Sequence, residues 1–334
     1  MRAAIYGAGA MGTVLGAFIS AQGKQIDLIT RNKEHVEALK SDGAQIIGKA
    51  NFVAAVSALT PDEMQDKYDI IFLMTKQRDN HKILSFLTDY LADDGVVCTL
   101  QNGLPEPSVS SVVGESRCMG CAVSWGATLR GAGVSELTSE RKKMTFSLGT
   151  PGERNPKTDE VKALLECAGK VKEEENFYGA RWAKLAINCA FSPLSAITGM
   201  TFGEVASKSP ANKIALKLLN EAFDVAEKCG VKIEKLQGHD IVRVYRCSGG
   251  VKQKIALYLL PLAMKNHKNL VSGMYYDLSA GKKCDINYVN GVLVRIGKKF
   301  GADVSLNKSV IDLARKIEKG ELKISPDNLK LILK

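Results

Sequence analysis

The feature that most restricts this chain stands at its start. Ala3-Ala4-Ile5-Tyr6 runs without a break into Gly7-Ala8-Gly9-Ala10-Met11-Gly12, and the helical stretch Met11–Gln22 follows. The string G-x-G-x-x-G is a weak signal by itself. Set between an apolar strand and a helix, inside a unit of βαβ size, it points to the first turn of a doubly wound α/β sheet. Gly7 allows the tight turn, Gly9 lets a pyrophosphate approach the backbone, and Gly12 lets helix and strand pack closely. Ala8, Ala10 and Met11 complete the turn, and the N–H groups at the helix start are available to hold phosphate. A glycine-rich turn with no ligand is the competing reading.

The pattern continues as such a sheet requires. Gln25–Ile29, Asp69–Met74 and Gly95–Leu100 are short apolar runs bounded by turn residues, and Lys33–Asp42 and Asn80–Leu91 between them look helical. This alternation predicts a mostly parallel sheet with helices on both faces. Met119–Trp125, Gly133–Leu137 and Met144–Leu148 read as further strands finishing that sheet. From about Tyr178 the period changes: Arg181–Cys189, Asn212–Cys229, Val251–Met264, Asp285–Phe300 and Ser309–Lys319 are helical, with Gly230, Gly301 and Gly320 at helix ends. The expected architecture is an N-terminal Rossmann domain over 1–177 and an all-helical C-terminal domain over 178–334. At 334 residues the chain is long enough for both to have cores.

Composition narrows the function. Forty-six Lys and Arg against 36 Asp and Glu give a net charge of +10. The excess is spread along the chain, so no nucleic-acid partner is expected. It fits a field that draws in anionic ligands, or a plain solvated surface. No apolar run approaches the ~18 residues of a membrane span, and the N-terminus reads as a strand and not as a signal peptide. The eight cysteines are scattered and read as reduced thiols of a cytoplasmic protein. Cys118-x-x-Cys121 lacks the second pair that a zinc site needs, so no metal is expected. His35, His81, His239 and His267 form no usable pattern; His239-Asp240 follows Gly238 at a helix start, which suits capping.

The tip of the second strand discriminates between the nicotinamide cofactors. An NAD site usually carries Asp or Glu roughly 20 residues past the fingerprint. Here the strand ends Ile29-Thr30-Arg31-Asn32, and Arg31 offers a fork of donors to a 2′-phosphate. Asp27 is the competitor, in mid-strand and too early to reach a ribose. The reading is NADP(H), with Arg31 as an ordinary surface arginine the alternative. Two more loops, Met74-Thr75-Lys76-Gln77 and Leu100-Gln101-Asn102-Gly103, follow strand ends on the same edge, where ligands of open α/β sheets bind. Lys76 could pair with a cofactor phosphate or ribose, and Asn102 could hydrogen-bond near the nicotinamide.

In the second half, Lys184 and Asn188 are four apart and share one helix face. Reducing a carbonyl needs a hydride, a proton for the developing alkoxide and donors for the substrate's carboxylate. A lysine in a partly dry cleft can supply that proton and stabilise the oxyanion. A solvated lysine beside a satisfied interhelical amide remains the alternative.

Together these residues resemble the ketopantoate reductase (2-dehydropantoate 2-reductase) family. The likeness runs from Gly7–Gly12 and Arg31 through Thr75-Lys76 and Gln101-Asn102-Gly103 to Lys184-Leu185-Ala186-Ile187-Asn188-Cys189 and Asp285-Ile286-Asn287-Tyr288-Val289-Asn290-Gly291. It implies a Rossmann domain and a helical domain with the active site in the cleft, and NADPH reducing ketopantoate to pantoate on the route to pantothenate and coenzyme A. It makes Lys184 the proton donor, Asn188 a substrate-binding amide, and Asn102 a residue touching both cofactor and substrate. Lys76, Arg31 and Ala127 fall on the cofactor side.

The chain also departs from the family's pattern. Ser192-Pro193 replaces an Asn-Pro pair, Phe202 replaces a polar residue, and Gly273 replaces a substrate-binding serine, with Ser272 adjacent. Asp285 stands for a glutamate at the cofactor and is one methylene shorter. On this reading Ser192 and Ser272 join Asn102, Lys184 and Asn188 around a small 2-oxo acid. Fewer donors weaken recognition of a hydroxylated acid, so a paralogue acting on another 2-oxo acid is the second reading. A non-catalytic NADP(H) sensor is the third, and it has no need of a proton donor. The apolar helical half leaves room for a homodimer and demands none.

Overall fold

The structure, a computed structural model, describes residues 1–332. It contains two compact units, one of Met1–Gln101 with Pro105–Phe177 and one of Asn102–Leu104 with the chain from Tyr178 onward.

The first unit holds strands β1 (Ala3–Tyr6), β2 (Asp27–Ile29), β3 (Ala44–Gly48), β4 (Phe52–Ala54), β5 (Ser57–Leu59), β6 (Tyr68–Leu73), β7 (Leu91–Thr99), β8 (Cys118–Val123), β9 (Ala127–Gly131), β10 (Val134–Leu137), β11 (Thr145–Gly149) and β12 (Lys170–Glu173). Its helices are α1 (Ala10–Ala21), α2 (Lys33–Asp42), α3 (Asn80–Leu87), α4 (Glu106–Val113) and α5 (Thr158–Glu166). Eight strands form one sheet in the order β12-β11-β8-β7-β6-β1-β2-β5. Every neighbouring pair is parallel except β8 with β11. From β1 the chain steps outward to β2 and later returns to the other side of β1 as β6. The order therefore reverses between β1 and β6, the switch point at which sheets of this kind bind ligands.

Side-chain alternation along each strand divides the core in two. Ala3, Ile5, Ile70, Phe72, Val96 and Cys98 face the layer of α1, α2 and α5, while Ala4, Tyr6, Ile71, Leu73 and Val97 face α3 and α4. The same alternation settles the Cys118/Cys121 pair: the two thiols lie in the cores on opposite faces of β8, so they do not form a chelate.

Three expectations are corrected. The segment Gly133–Leu137 does not finish the main sheet. It becomes β10 of a second sheet, order β4-β3-β10-β9, because Gly133 at positive φ turns the chain back from β9 and its carbonyl accepts from Gln45 N–H at the edge of β3. That small sheet covers α1. The helix expected over Asn80–Leu91 stops at Leu87, and Leu91 already pairs with Tyr68 as the first residue of β7. β2 begins at Asp27, so Asp27 is its first residue and not a mid-strand one.

The second unit contains α6 (Phe177–Thr198), α7 (Phe202–Ser207), α8 (Ala211–Lys228), α9 (Ile241–Tyr245), α10 (Gly250–Ala263), α11 (Gly273–Ser279), α12 (Ile286–Lys299), α13 (Ser305–Glu318) and α14 (Leu329–Ile332), packed around a single apolar core. α6 runs on through Pro193, well beyond the expected end at Cys189. Asp240 accepts from Arg243 N–H and caps α9. Among the described residues no helix is long and apolar enough to cross a membrane.

Candidate active site

Strand register brings the loops of the first unit to one line. Ile29, Tyr6, Leu73 and Thr99 are partners across β2, β1, β6 and β7. The residues that follow them, Thr30-Arg31, the turn Gly7–Gly12, Met74-Thr75-Lys76 and Leu100-Gln101, therefore emerge side by side from the carboxyl edge of the sheet. This is where the switch point lies.

The three fingerprint glycines meet different surroundings. Gly7 has φ +108°, and a Cβ there would come within 2.7 Å of the Met74 carbonyl carbon and Thr75 nitrogen. A Cβ on Gly12 would lie 2.6 Å from the Gly7 oxygen and 3.0 Å from Ile5 Cγ2. A Cβ on Gly9 would meet nothing within 4 Å. Two glycines are thus required by the fold's own contacts, while the third borders open space. The first bond of α1 runs from Thr13 N–H to the Gly9 carbonyl at 2.8 Å. The N–H groups of Ala10, Met11 and Gly12 consequently have no acceptor inside the helix, and they point with the helix dipole toward that space. This cradle fits a dinucleotide's pyrophosphate.

A buried imidazole holds the cradle helix in place. His35 Nδ1 accepts from Gly133 N–H at 2.9 Å, which leaves the proton on Nε2 to donate to Thr13 Oγ1, also at 2.9 Å. Burial pushes the His35 pKa down, so it is held neutral. Sequence reasoning had set His35 aside, and its only signal was an i+3 position after Asn32, the residue whose side chain caps α2.

Arg31 is exposed just past β2, and its charge opposes the upward shift that burial imposes on the Tyr6 phenol at the end of β1. Asp27, by contrast, is engaged at the opposite end of its strand. It accepts from Tyr68 Oη at 2.8 Å and from Arg2 at 3.3 Å. Beside Lys76 lies a buried network that sequence reasoning missed. Gln101 Nε2 donates to the Thr75 carbonyl at 2.8 Å and to Asn80 Oδ1 at 2.7 Å, and Gln101 Oε1 accepts from Asn80 Nδ2 at 3.0 Å and Thr99 Oγ1 at 3.1 Å. The reciprocal amide pair locks the loop after β6 to the loop after β7. Lys76 is half-buried, and Asn102 is exposed. Ala127 opens β9 in the small sheet over α1.

The remaining candidates belong to the helical unit. On α6, Lys184, Ile187, Asn188 and Ser192 are half-buried while the positions around them are buried. Their spacing of three and four places them in one stripe along the helix. Three polar side chains thus line the only partly open face of this stretch. Ser272 is elsewhere engaged: it is 4% exposed, it caps α11 by accepting from Met274 N–H at 3.2 Å, and its own N–H donates to Ser195 Oγ at 3.1 Å. Phe202 is core, with its ring centroid 5.7 Å from that of Phe191. Asp285 is the N-cap residue of α12 and makes no side-chain cap bond there. Among the described residues no group of three or more metal-ligating side chains is gathered.

Comparison with known proteins agrees at both ends of the chain. Residues 3–150 match the family model described as Ketopantoate reductase PanE/ApbA, and residues 176–318 match that family's C-terminal model. A 2-dehydropantoate 2-reductase of Archaeoglobus fulgidus is 28% identical over 320 residues, covering 96% of this chain and 98% of the relative. The crystal structure of a PanE/ApbA family ketopantoate reductase from Ralstonia eutropha JMP134 superposes with a TM-score of 0.80 at 26% identity, over 96% of this chain and 99% of that one. The fold is also that of a D-mandelate dehydrogenase, solved with NADH and anilino(oxo)acetate, with a TM-score of 0.81 at 23% identity over 96% and 99% of the two chains.

Proposed function

The chain belongs to the ketopantoate reductase family, and from that premise we propose that it is an NADPH-dependent reductase of a small 2-oxo acid, with ketopantoate the first candidate. The observation that carries the reading is the stripe of Lys184, Asn188 and Ser192 on the partly open face of α6.

NADPH, when bound, supplies the hydride. The chain's own groups do the rest. The N–H groups of Ala10, Met11 and Gly12 hold the pyrophosphate, and the Arg31 guanidinium pairs with the 2′-phosphate. Lys76 and Asn102 bind the cofactor from the two loops that the Gln101–Asn80 pair fixes together, with Ala127 and Asp285 as further cofactor contacts. The Lys184 ammonium donates its proton to the substrate's keto oxygen as that oxygen gains negative charge, and the same charge stabilises the oxyanion beforehand. Asn188 and Ser192, one turn apart, hydrogen-bond the substrate's polar groups, and Asn102 adds a further amide.

A specific observation favours a second reading, a reductase for a 2-oxo acid without ketopantoate's hydroxyl. Phe202 is packed against Phe191, and the Ser272 hydroxyl is committed to a helix cap. Phe202 offers a hydroxylated acid no hydrogen-bonding group, and the Ser272 hydroxyl, already accepting the cap bond, is 4% exposed. Loss of NADPH absorbance in the presence of ketopantoate, and of 2-oxoisovalerate, which lacks the hydroxymethyl group, separates the two readings. Higher kcat/KM for ketopantoate supports the first. A preference for 2-oxoisovalerate supports the second, and turnover of neither refutes both.

A further inference from the structure

Pro193 stands inside α6. Proline has no N–H for the carbonyl four residues back, and its ring crowds that carbonyl, which breaks or bends an unsupported helix. The carbonyl in question belongs to Cys189, a fully buried residue. A side chain from another helix takes it up: Asn290 Nδ2, on α12, donates to the Cys189 oxygen at 2.8 Å. The same nitrogen donates to Asn307 Oδ1 on α13 at 2.8 Å, and Asn307 Nδ2 donates to Glu221 Oε2 on α8 at 2.6 Å. Glu221 is itself fixed by the N–H groups of Leu306 at 2.8 Å and Asn307 at 2.9 Å. The broken rung of α6 is therefore tied to three other helices through two amides, each 0% exposed.

Among the described residues Asn290 Oδ1 has no hydrogen-bond partner. Burying an amide with an unsatisfied oxygen is unfavourable, so the residue's contribution lies in its nitrogen. The rung that this nitrogen repairs sits directly under the stripe: Cys189 follows Asn188, and Pro193 follows Ser192.

We propose that Asn290 is a positioning residue, replacing from α12 the hydrogen bond that Pro193 removes and so keeping Asn188 and Ser192 in line with Lys184 on one straight face of α6. This rests on the reading of that face as the reactive one. The chemistry tolerates little misplacement, since a shift of about 1 Å can lower a rate on the order of a hundredfold.

Pro193→Ala returns an N–H to the rung from within the helix, so it should make Asn290 dispensable. Asn290→Ala is expected to raise deuterium exchange of the α6 amides around 189–196 and to lower kcat/KM for the 2-oxo acid on the order of a hundredfold, with the KM for NADPH unchanged. The double variant Asn290→Ala/Pro193→Ala is expected to return both quantities to within a few-fold of the parent. Unchanged exchange in Asn290→Ala overturns the proposal. So does a double variant as impaired as the single one, because Asn290 would then be acting only as core filler. Should Asn290→Ala not accumulate as folded protein, Asn290→Leu fills the space without the donor and is judged by the same rescue. A parent protein that turns over no 2-oxo acid counts against the functional reading alone, and the exchange measurement still decides the role of Asn290.

Discussion

Alanine at Gly9 and at Gly12 should have opposite signatures, although the two glycines are three residues apart in one turn. Gly9 has φ −86° and ψ −153°, an extended conformation open to any L-residue, and a methyl there meets nothing within 4 Å. Loss of a tolerable N-cap glycine and the gain from a stiffer unfolded chain roughly offset each other, so Gly9→Ala should change stability by no more than about 0.5 kcal/mol. The methyl nevertheless projects into the space the pyrophosphate needs. Displacing the phosphate from one charge-assisted hydrogen bond removes about 1.5–3 kcal/mol, which raises the Kd for NADPH roughly ten- to a hundredfold. At Gly12 the methyl would lie 2.6 Å from the Gly7 carbonyl oxygen, a backbone atom that cannot rotate away. Gly12→Ala should lose about 1–3 kcal/mol of stability from overpacking, a drop of several degrees in Tm, together with its affinity. Thermal melts and fluorescence titration with NADPH read the two effects separately. A Gly9→Ala protein that melts with the parent and binds NADPH as tightly would refute the placement of the phosphate at this turn.

Other consequences are equally measurable. Lys184→Ala should lower kcat by 10²- to 10⁴-fold while the Kd for NADPH stays put; full turnover would remove Lys184 from the chemistry. Arg31→Ala should raise the KM for NADPH about tenfold or more and leave that for NADH nearly unchanged, and an equal response from both cofactors would contradict the role given to Arg31. His35 is held below its ordinary value of 6.5 by burial, so the unfolded chain takes up this proton before the folded one does. Stability should be complete above pH 6.5 and decline as pH falls below it toward the lowered folded value. Denaturant melts of the parent and His35→Gln, compared between about pH 7.5 and 5, should converge on the acid side, whereas parallel curves would exclude His35 as the cause.

Local signals carried the parts of the fold where local and tertiary preferences coincide. β1 and α2 lie within the limits that apolar pattern and turn residues suggest. The turn between β1 and α1 is legible for the same reason, because its glycines obey strict steric demands. The failures occur where distant contacts decide. β3, β4 and β5 are three to five residues long, too short for a period to identify them; β3 is paired by the distant β10 and β5 by β2, while β4 hangs on β3 alone. Leu91 carries on the apolar rhythm of α3, but Tyr68 recruits it into β7. The helix expected to end at Cys189 runs on through Pro193, and the Cys189 carbonyl that Pro193 leaves without a helical donor accepts instead from Asn290, about a hundred residues away. At the candidate site, the sequence marked residues that face outward from the sheet edge and from α6. The roles of the residues behind them, Asn80, His35 and Asn290, are visible only once their partners are in place.

The unequal surroundings of the three turn glycines bear on how such a motif ages. A descendant of this chain that lost its dinucleotide would still need Gly7 and Gly12, since their absence strains the protein whether or not anything is bound. Only the middle position would be released to drift. The glycine at 9, and not the motif as a whole, is therefore the mark by which a working copy could be told from a relic.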